Sequence, residues 1–434
     1  MFGRSDAEGG WTRRMVLSGS VAGLIGVPLS SIPRELSAAN SAVLLNSQKY
    51  VRNRDLVIDA VAEGADNSGA TDARLAILAA IGLVPTAGAV VRLRKGSYKL
   101  SSRLILNKPG IVLEGEGPAT ILLPDVAAFQ VGADNITIRN MTVRGGVAGT
   151  QGAFQSLTSG AFKHWHFENV IFENLAVTLR RIGAIQSTGA AFTSGAGFDS
   201  HVTFENCAFS GFKGDGMLNI GGVDHVTINN SWFHDSGVDF NRGDMLKLSS
   251  GTQYWNVTHN RFERGTRDAI DCYDGHRGLI EGNTIVDMGV HGVEMKVASN
   301  SAPNPADRNL VLGNHIVNIG IRSSCPGIQC ATSNAIIANN LLEGGGGMET
   351  GIRIGKVTDG SANTHDNIVM GNRVIGANGY GIAALGCDGI VIQGNVVTGS
   401  GSSGFHVSPS KNTFIAGSAA MNVSRSNGVA DVWT

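Results

Sequence analysis

The sequence predicts an all-β protein folded as a single-stranded right-handed parallel β-helix, with a capping helix at its N-terminal end. Two observations carry this prediction. The 60 glycines are about twice the average usage and are spread along the chain, as in turns between short strands. An asparagine-centred motif also recurs at intervals of 23 to 37 residues, and its asparagines are Asn169, Asn206, Asn230, Asn260, Asn283, Asn314, Asn340, Asn372 and Asn395.

Each repeat has three short strands, with an asparagine-containing turn after the first and a glycine-rich turn after the second. A unit of this size cannot bury its own apolar face, but copies stacked on one another can. We expect strands about 4.8 Å above one another and a ladder of the recurrent asparagines inside the turn. The pattern of leucine-rich repeats is missing, and a β-propeller would need longer antiparallel blades.

The N-terminus has the features of an export signal of the twin-arginine type, because Arg13 and Arg14 precede a short apolar run. That run is too short for a stable membrane span, so we expect a soluble protein that is periplasmic or secreted. The chain then divides into three parts, namely an export signal at 1–39, an N-terminal cap with the first coils at 40–124, and the parallel β-helix at 125–434.

A helix is predicted within residues 66–84, where it would cover the open end of the solenoid and its sheet edges. Thr71 is the expected N-cap residue, and Leu75, Leu78 and Ile81 are the expected apolar positions.

Five cysteines are present, and only Cys325 and Cys330 are close enough in sequence to suggest a disulfide, in a loop. Cys207, Cys272 and Cys387 lie in strand-like patterns and are expected to fill the core. The formal net charge of −1 argues against nucleic acid as a partner.

Charged residues recur at matching places in consecutive strands, although each strand also has apolar residues at alternate positions. Alternation places the polar set on the outer face, where stacked coils would form one vertical stripe. The outward positions are Asn219, Lys247, Asp271, Glu294, Lys296, Arg353 and His406. Charged residues concentrate in three adjacent coils, which favours a functional site over a merely solvated face.

Such a stripe suits an extended acidic polysaccharide that is cleaved by β-elimination. A cation would neutralise a uronate carboxylate, and a lysine of lowered pKa, Lys247 or Lys296, would remove the acidified proton on the neighbouring ring carbon. Arg267 is the expected neutralising cation. Glu294 would be a further metal ligand or a proton carrier.

Oxygen ligands for Ca²⁺, a hard cation, are available from Asp244, Asp268 and Asp271. Further residues expected to bind substrate are Asp239, Arg242, Arg264, Tyr273, His276, Arg277, His291 and Arg353.

The segment before the coils resembles the entry region of the pectate-lyase-like superfamily. The matching stretches are Asp66–Asp72, Gly96-Ser97-Tyr98 and Gly115-Glu116-Gly117. The resemblance covers essentially residues 55–430 and implies the β-helix fold.

The charged strands also partly resemble family 9 polysaccharide lyases, in which aspartates of consecutive coils bind calcium and a lysine is the base. The matching residues are Asp244, Asp268, Asp271 and Lys296, while Arg267 replaces one aspartate of that pattern. The resemblance implies a lyase-like site with Ca²⁺.

Other functions remain open on the same fold. A glycoside hydrolase could use Asp271 with Glu294, or Asp268 with Asp271. A polyuronate C5-epimerase would share the proton-abstraction step, and a non-catalytic carbohydrate-binding surface protein would need aromatic platforms. The protein would be a monomer or a homotrimer.

Overall fold

The computed structural model describes the chain from residue 56 to residue 433, with internal gaps. The described ranges are 56–146, 152–156, 163–175, 177–179, 199–212, 216–236, 243–249, 251–297, 308–355, 364–408, 410, 414–415, 423–425 and 430–433. The predicted export signal lies outside these residues.

Short parallel strands account for almost all of the regular structure. In the N-terminal half, the elements in chain order are β1 Val57–Asp59, β2 Ser68–Asp72, α1 Arg74–Gly82, β3 Ala89–Leu93, β4 Gly96–Leu100, β5 Leu104–Leu106, β6 Ile111–Gly115, β7 Thr120–Pro124, β8 Phe129–Val131, β9 Ile136–Arg144, β10 Gly152–Ser156, β11 Lys163–Glu173, β12 Val177–Leu179, β13 Asp199–Glu205, β14 Ala208–Ser210, β15 Gly216–Gly221, β16 Val223–Asn229 and β17 Trp232–His234. The following elements are β18 Asp244–Ser249, β19 Asn256–Thr258, β20 Arg261–Gly265, β21 Ile270–Tyr273, β22 Leu279–Glu281, β23 Thr284–Met288, β24 Val293–Lys296, β25 Leu310–Leu312, β26 His315–Ile319, β27 Cys325–Cys330, β28 Ile336–Ala338, β29 Leu341–Glu343, β30 Met348–Gly355, β31 Ile368–Met370, β32 Arg373–Ile375, β33 Tyr380–Leu385, β34 Val391–Gln393, β35 Val396–Thr398, β36 Ser403–Ser408, β37 Phe414–Ile415, β38 Val423–Arg425 and β39 Ala430–Trp433.

Every strand pairs in parallel with the equivalent strand of the next coil, which makes the chain a parallel solenoid. One nine-stranded sheet contains β15, β18, β21, β24, β27, β30, β33, β36 and β39 in that order. The two strands that follow each of the first eight in a coil belong to a 26-stranded sheet, as β19 and β20 do after β18. A four-stranded sheet contains β5, β8, β10 and β12.

Apolar side chains stack in columns inside the coils, because each coil repeats the burial pattern of the one before it. One column contains Phe172, Phe209, Phe233 and Phe262, whose successive ring centroids are 5.2, 4.4 and 4.7 Å apart. All four side chains are fully buried. Stacked aromatic rings add packing energy to the area that they remove from water.

The predicted asparagine ladder exists over six coils and is buried. Asn283 accepts at Oδ1 from both the backbone N–H (2.9 Å) and Nδ2 (3.1 Å) of Asn260. The same pair of bonds joins the next asparagines at 2.9–3.0 Å, and the series is Asn260, Asn283, Asn314, Asn340, Asn372 and Asn395. Each amide therefore satisfies backbone and side-chain groups of its neighbours at once.

Three of the predicted ladder members lie one position earlier than the ladder. The position that aligns with Asn260 is occupied by Cys207 and Ser231 in the preceding coils. Asn169, Asn206 and Asn230 instead have φ of 54°, 53° and 49°. This left-handed backbone is one that asparagine tolerates, so asparagine marks two different positions of the same turn.

The helix forms at α1, but two of its predicted details are wrong. Thr71 lies in strand β2, and the residue before the helix, Ala73, makes no side-chain cap. Leu75 is 70% exposed, because Ile77, Ala80 and Ile81 form the buried face. The capping role of α1 and the boundary at residue 124 stay predictions.

The predicted disulfide is wrong, because Cys325 and Cys330 are the two ends of strand β27 and both are free. Five extended residues separate their Cα atoms by about 16 Å, whereas a disulfide spans at most about 7 Å. Cys207, Cys272 and Cys387 are buried, as predicted. Within the described residues, no helix is long and apolar enough to cross a membrane.

We predict that Asn314→Ala lowers the free energy of unfolding by about 3 kcal/mol, because buried donors and acceptors of two coils lose their partners. The matched control is Asn230→Gly, which removes an exposed asparagine from a left-handed position that glycine accepts. We expect the control to cost less than about 1 kcal/mol. Urea unfolding measures both, and equal losses would show that the ladder adds nothing beyond the turn itself.

Candidate active site

The outer column predicted from alternation is present in the nine-stranded sheet. Strand pairing places Asn219 beside Lys247, Lys247 beside Asp271, and Asp271 beside Glu294. The column continues through Gln329, Arg353, Ala383 and His406. Residues from distant parts of the sequence thus become neighbours on one face.

A second column lies three residues earlier and contains Asp244, Asp268 and His291. Simple alternation would place this column inside with Leu246, but Met245 and Leu246 are both fully buried. The break in alternation lets Asp244 and Lys247 share the outer face, and their side chains approach to 3.5 Å. The two columns together form the acid–base cluster, which contains Asp244, Lys247, Arg267, Asp268, Asp271, His291, Glu294 and Lys296.

Two lysines contact the central aspartate of this cluster. Lys247 Nζ lies 2.6 Å from Oδ2 of Asp271, and Lys296 Nζ lies 3.4 Å from its Oδ1. Lys296 also pairs with Glu294. The ammonium groups lie 5.4 and 5.6 Å from the ring centroid of Tyr273, so this ring borders both lysines.

Arg267 and His291 contact the other two aspartates of the cluster, Asp244 and Asp268. Arg267 lies 3.4 Å from Asp244 and 3.8 Å from Asp268. His291 donates its backbone N–H to Oδ1 of Asp268 at 2.8 Å, and its Nδ1 lies 2.9 Å from the same oxygen. His291 Nδ1 also lies 3.9 Å from Glu294.

The four carboxylates are buried, although they lie on the outer face. Asp268 and Asp271 are fully buried, and Asp244 and Glu294 are 2% and 4% exposed. Burial, together with Asp268 and Asp271, raises the pKa of Asp244 to about 8. Burial opposes ionisation of Asp268 too, but His291 outweighs it and holds the pKa of Asp268 below its usual range.

The lysines do not have the lowered pKa that was predicted for a general base. Burial lowers the pKa of Lys296, but Asp271 and Glu294 outweigh burial and raise it overall. Burial also lowers the pKa of Lys247, and Asp271 and Asp244 again raise it overall. Both lysines are therefore charged in this structure.

Two groups of side chains could hold a metal ion. One ligand atom from each of Asp244, Asp268 and Asp271 lies within 4.8 Å of the others, and the same holds for Asp268, His291 and Glu294. Each aspartate of the first group also has a buried oxygen that accepts no hydrogen bond among the described residues, although each of these oxygens lies 3.4–3.8 Å from Arg267 or Lys296. Three carboxylates at one point fit a hard cation such as Ca²⁺, which would have to replace the contacts to Arg267 and Lys296.

Other predicted site residues lie away from the cluster. Arg264 pairs with Asp235 and Glu263 at the corner before β21. Arg353 is two coils beyond Glu294 and pairs with Glu349. His276 and Arg277 lie in the turn after β21, where Arg277 donates to the hydroxyl of Tyr254. Asp239 and Arg242 lie outside the described residues.

Gln329 was missed by the sequence reasoning, although it is the next member of the outer column after Glu294. It is buried and donates to the carbonyl of Gly355 at 3.1 Å. Aligning CPGIQC with the other strands, rather than treating it as a disulfide loop, would have found it.

Comparisons with known proteins agree with this architecture. Residues 127–341 match the family model described as a right handed beta helix region. The fold is a right-handed parallel β-helix. A sequence search finds no significant match among curated proteins.

Solved structures are similar to this β-helix over most of its length. The catalytic unit of a thermostable GH87 alpha-1,3-glucanase from Streptomyces thermodiastaticus strain HF3-3 has a TM-score of 0.61 and 15% identity, over 88% of this chain and 70% of that one. Gene product 12 of bacteriophage phi29 has a TM-score of 0.59 and 14% identity, over 88% and 59%. The A-module of Azotobacter vinelandii mannuronan C-5 epimerase AlgE6 has a TM-score of only 0.48 and 14% identity, over 87% of this chain and 99% of that one. At such low sequence identities, structural similarity indicates a shared fold and does not indicate a shared activity.

We predict that the His291–Asp268 pair stabilises the protein more at pH 5.5 than at pH 9. Burial lowers the pKa of His291, but Asp268 outweighs burial and raises this pKa above its ordinary value of 6.5. Its contribution is complete below the unfolded pKa and is lost as the pH rises through the folded pKa. His291→Gln should therefore cost about 2 kcal/mol at the lower pH, and less at the higher one.

The matched control for this prediction is His365→Gln, because His365 pairs with Asp366 at an exposed corner. Exposed pairs contribute little, so the control should change the urea midpoint only slightly at either pH. A cost of His291→Gln that does not depend on pH would contradict the ion pair.

Proposed function

We propose that this protein is an enzyme that cleaves an acidic polysaccharide by β-elimination at the acid–base cluster. The observation that carries the proposal is the meeting of Asp244, Asp268 and Asp271 within 4.8 Å, flanked by Arg267 and Lys296. Similarity in fold to an alpha-1,3-glucanase supports a polysaccharide as the substrate class. It does not support one chemistry over another.

In this proposal the cations of the cluster receive the substrate's carboxylate. Arg267 is half-buried beside Asp244, and its planar guanidinium can pair with a carboxylate through two hydrogen bonds. Neutralising the uronate carboxylate acidifies the proton on the adjacent ring carbon. Lys296 then removes that proton, and the C–H electron pair forms a double bond to the next carbon. The glycosidic oxygen leaves that carbon with the electrons of the C–O bond and takes up a proton from water.

Lys296 can act as this base only if its pKa falls from the raised value that Asp271 and Glu294 impose. A calcium ion held by Asp244, Asp268 and Asp271 would supply positive charge that offsets these carboxylates and polarises the uronate. The three aspartate oxygens that accept no hydrogen bond could serve as its ligands in place of their contacts to Arg267 and Lys296. The proposal therefore makes activity dependent on a divalent cation.

Hydrolysis is the second candidate, because Asp244 and Asp268 have pKa values shifted in opposite directions. A carboxyl with a pKa of about 8 remains protonated at neutral pH and can act as general acid. Asp268 stays ionised beside it and can act as base or nucleophile. This pair is favoured over Asp271 with Glu294, which the sequence suggested.

A polymeric substrate also bears on location, since a polysaccharide does not cross a lipid bilayer unaided. We include export to the periplasm or the medium in the proposal, on the basis of the twin arginines near the N-terminus. The oligomeric state, a monomer or a homotrimer, stays a prediction.

We predict that the protein forms unsaturated uronate ends on at least one polyuronate, seen as ultraviolet absorbance, and that EDTA abolishes this and Ca²⁺ restores it. Lys296→Met should lower the rate by at least about a hundredfold, because it removes the base. The matched control is Lys99→Met, an exposed lysine of strand β4. It should retain the wild-type rate.

Other products would redirect the proposal. New reducing ends without absorbance, lost in Asp244→Asn, would establish hydrolysis. Inverted uronates in an uncut chain would establish epimerisation. Binding without any product would leave a carbohydrate-binding protein, and elimination that persists in Lys296→Met would remove Lys296 from the role of base.

We predict that the protein binds one Ca²⁺ and that Asp271→Asn weakens this binding by on the order of tenfold or more, because one charged ligand is lost. Isothermal titration calorimetry measures the affinity without requiring activity. Asp366→Asn, at an exposed carboxylate outside the cluster, is the matched control. Equal affinities in wild type and Asp271→Asn would exclude this calcium site.

A further inference from the structure

A cleft of about 750 Å³ lies at the corner that precedes the strands of the acid–base cluster. Gly265 and Thr266 line it, and Arg267 and Asp268 follow them directly in the chain. Gly289 lines it one coil further on, two residues before His291. One to three residues span at most about 10 Å, so the cleft and the cluster are neighbours on the same coils.

One wall of the cleft is a polar column built by successive coils. Asp235, Arg264, Asp287 and Asn318 are in equivalent positions, each with a left-handed φ between 53° and 58°. Arg264 binds Asp235 at 2.7 and 3.1 Å, and Asn318 donates to Asp287 at 2.6 Å. These internal bonds fix the polar groups in place, which reduces the entropy lost when a ligand binds.

Arg322 is the arginine of the cleft whose side chain can pair with an acidic ligand. Its backbone N–H donates to the carbonyl of Gly289 at 3.0 Å, and its side chain passes close to that glycine. Among the described residues, its guanidinium has no ion pair or hydrogen bond. Arg264, by contrast, is already paired with two carboxylates. Ile321 beside it is 50% exposed and offers an apolar contact.

We propose that this cleft binds a uronate residue of the polysaccharide, adjacent to the residue that reacts at the cluster. Arg322 pairs with the carboxylate of that sugar, Asp287 and Asn318 bind its hydroxyls, and Ile321 contacts its ring. The proposal rests on the proposed function for the identity of the polymer. It adds a second recognition point for negative charge, which selects chains with consecutive uronates.

The test is calorimetric binding of hexamers of galacturonate, mannuronate and guluronate to the Lys296→Met protein, which should bind substrate without cutting it. Adding Arg322→Gln should weaken binding of the preferred hexamer by about tenfold, because one charge-assisted pair is lost. A neutral glucose hexamer should not lose affinity through Arg322→Gln. The matched control is Arg373→Gln, an exposed arginine of strand β32, which should leave every affinity unchanged.

Several results would overturn the inference. These are unchanged affinity in Arg322→Gln, an equal loss in Arg373→Gln, an equal loss for the neutral hexamer, or no binding of any uronate hexamer. A failure of the proposed function can be distinguished from a failure of this inference. The former would be seen as the absence of unsaturated ends when the wild-type protein acts on polyuronates. Binding that depends on Arg322 without elimination would keep the uronate site and discard the lyase.

Discussion

The buried asparagine ladder keeps one coil in register with the next, and the acid–base cluster exists only in that register. Each asparagine bonds both the backbone and the side chain of its neighbour, as Asn283 does with Asn260. A slip of one residue would exchange the faces of every strand. Asp271 would then point into the core, and Cys272 would take its place outside. The ladder lies in a turn of the 26-stranded sheet, whereas the cluster lies on the nine-stranded sheet. The residues that hold the coils in register are therefore separate from the residues of the site.

Charge balance is the second constraint on the site. Four buried carboxyl groups face two lysines, one arginine and one histidine, and breaking a buried pair costs more than breaking an exposed one. A substrate carboxylate or a metal ion that enters must therefore replace a partner that is already present. Lys296 illustrates this competition, because the carboxylates that bind it also raise its pKa. A cation bound to the aspartates would weaken those same contacts, which would link metal binding to the pKa of Lys296, the proposed base.

The sequence predicted the outer column correctly because two-residue alternation and a coil-length repeat are both local signals. Alternation alone did not predict the column of Asp244, Asp268 and His291, since it places these residues inside. Asp244 and Asp268 entered the predicted site as oxygen ligands for Ca²⁺, and His291 entered it as a substrate-binding residue. Two consecutive buried residues, Met245 and Leu246, reverse the face, and nothing in their identity distinguishes this corner from a regular strand. The ladder was misaligned in three coils for a similar reason, because asparagine suits both the buried rung and the left-handed position before it. Burial, which decides between the two, depends on the neighbouring coils.

The relative placement of the cluster and the cleft limits how a polymer can lie on the protein. The cleft lies at the corner that precedes the strands of the cluster on the same coils, so a chain that reached both would have to cross the coils there. A chain that followed the outer column toward Arg353 would instead run along the helix axis and would miss Arg322. The proposed recognition at Arg322 and the proposed cleavage at Lys296 would therefore require the crossing path if one chain is bound at both. On that path Arg353, two coils away, would not reach the reacting sugar, and it pairs with Glu349 in the structure.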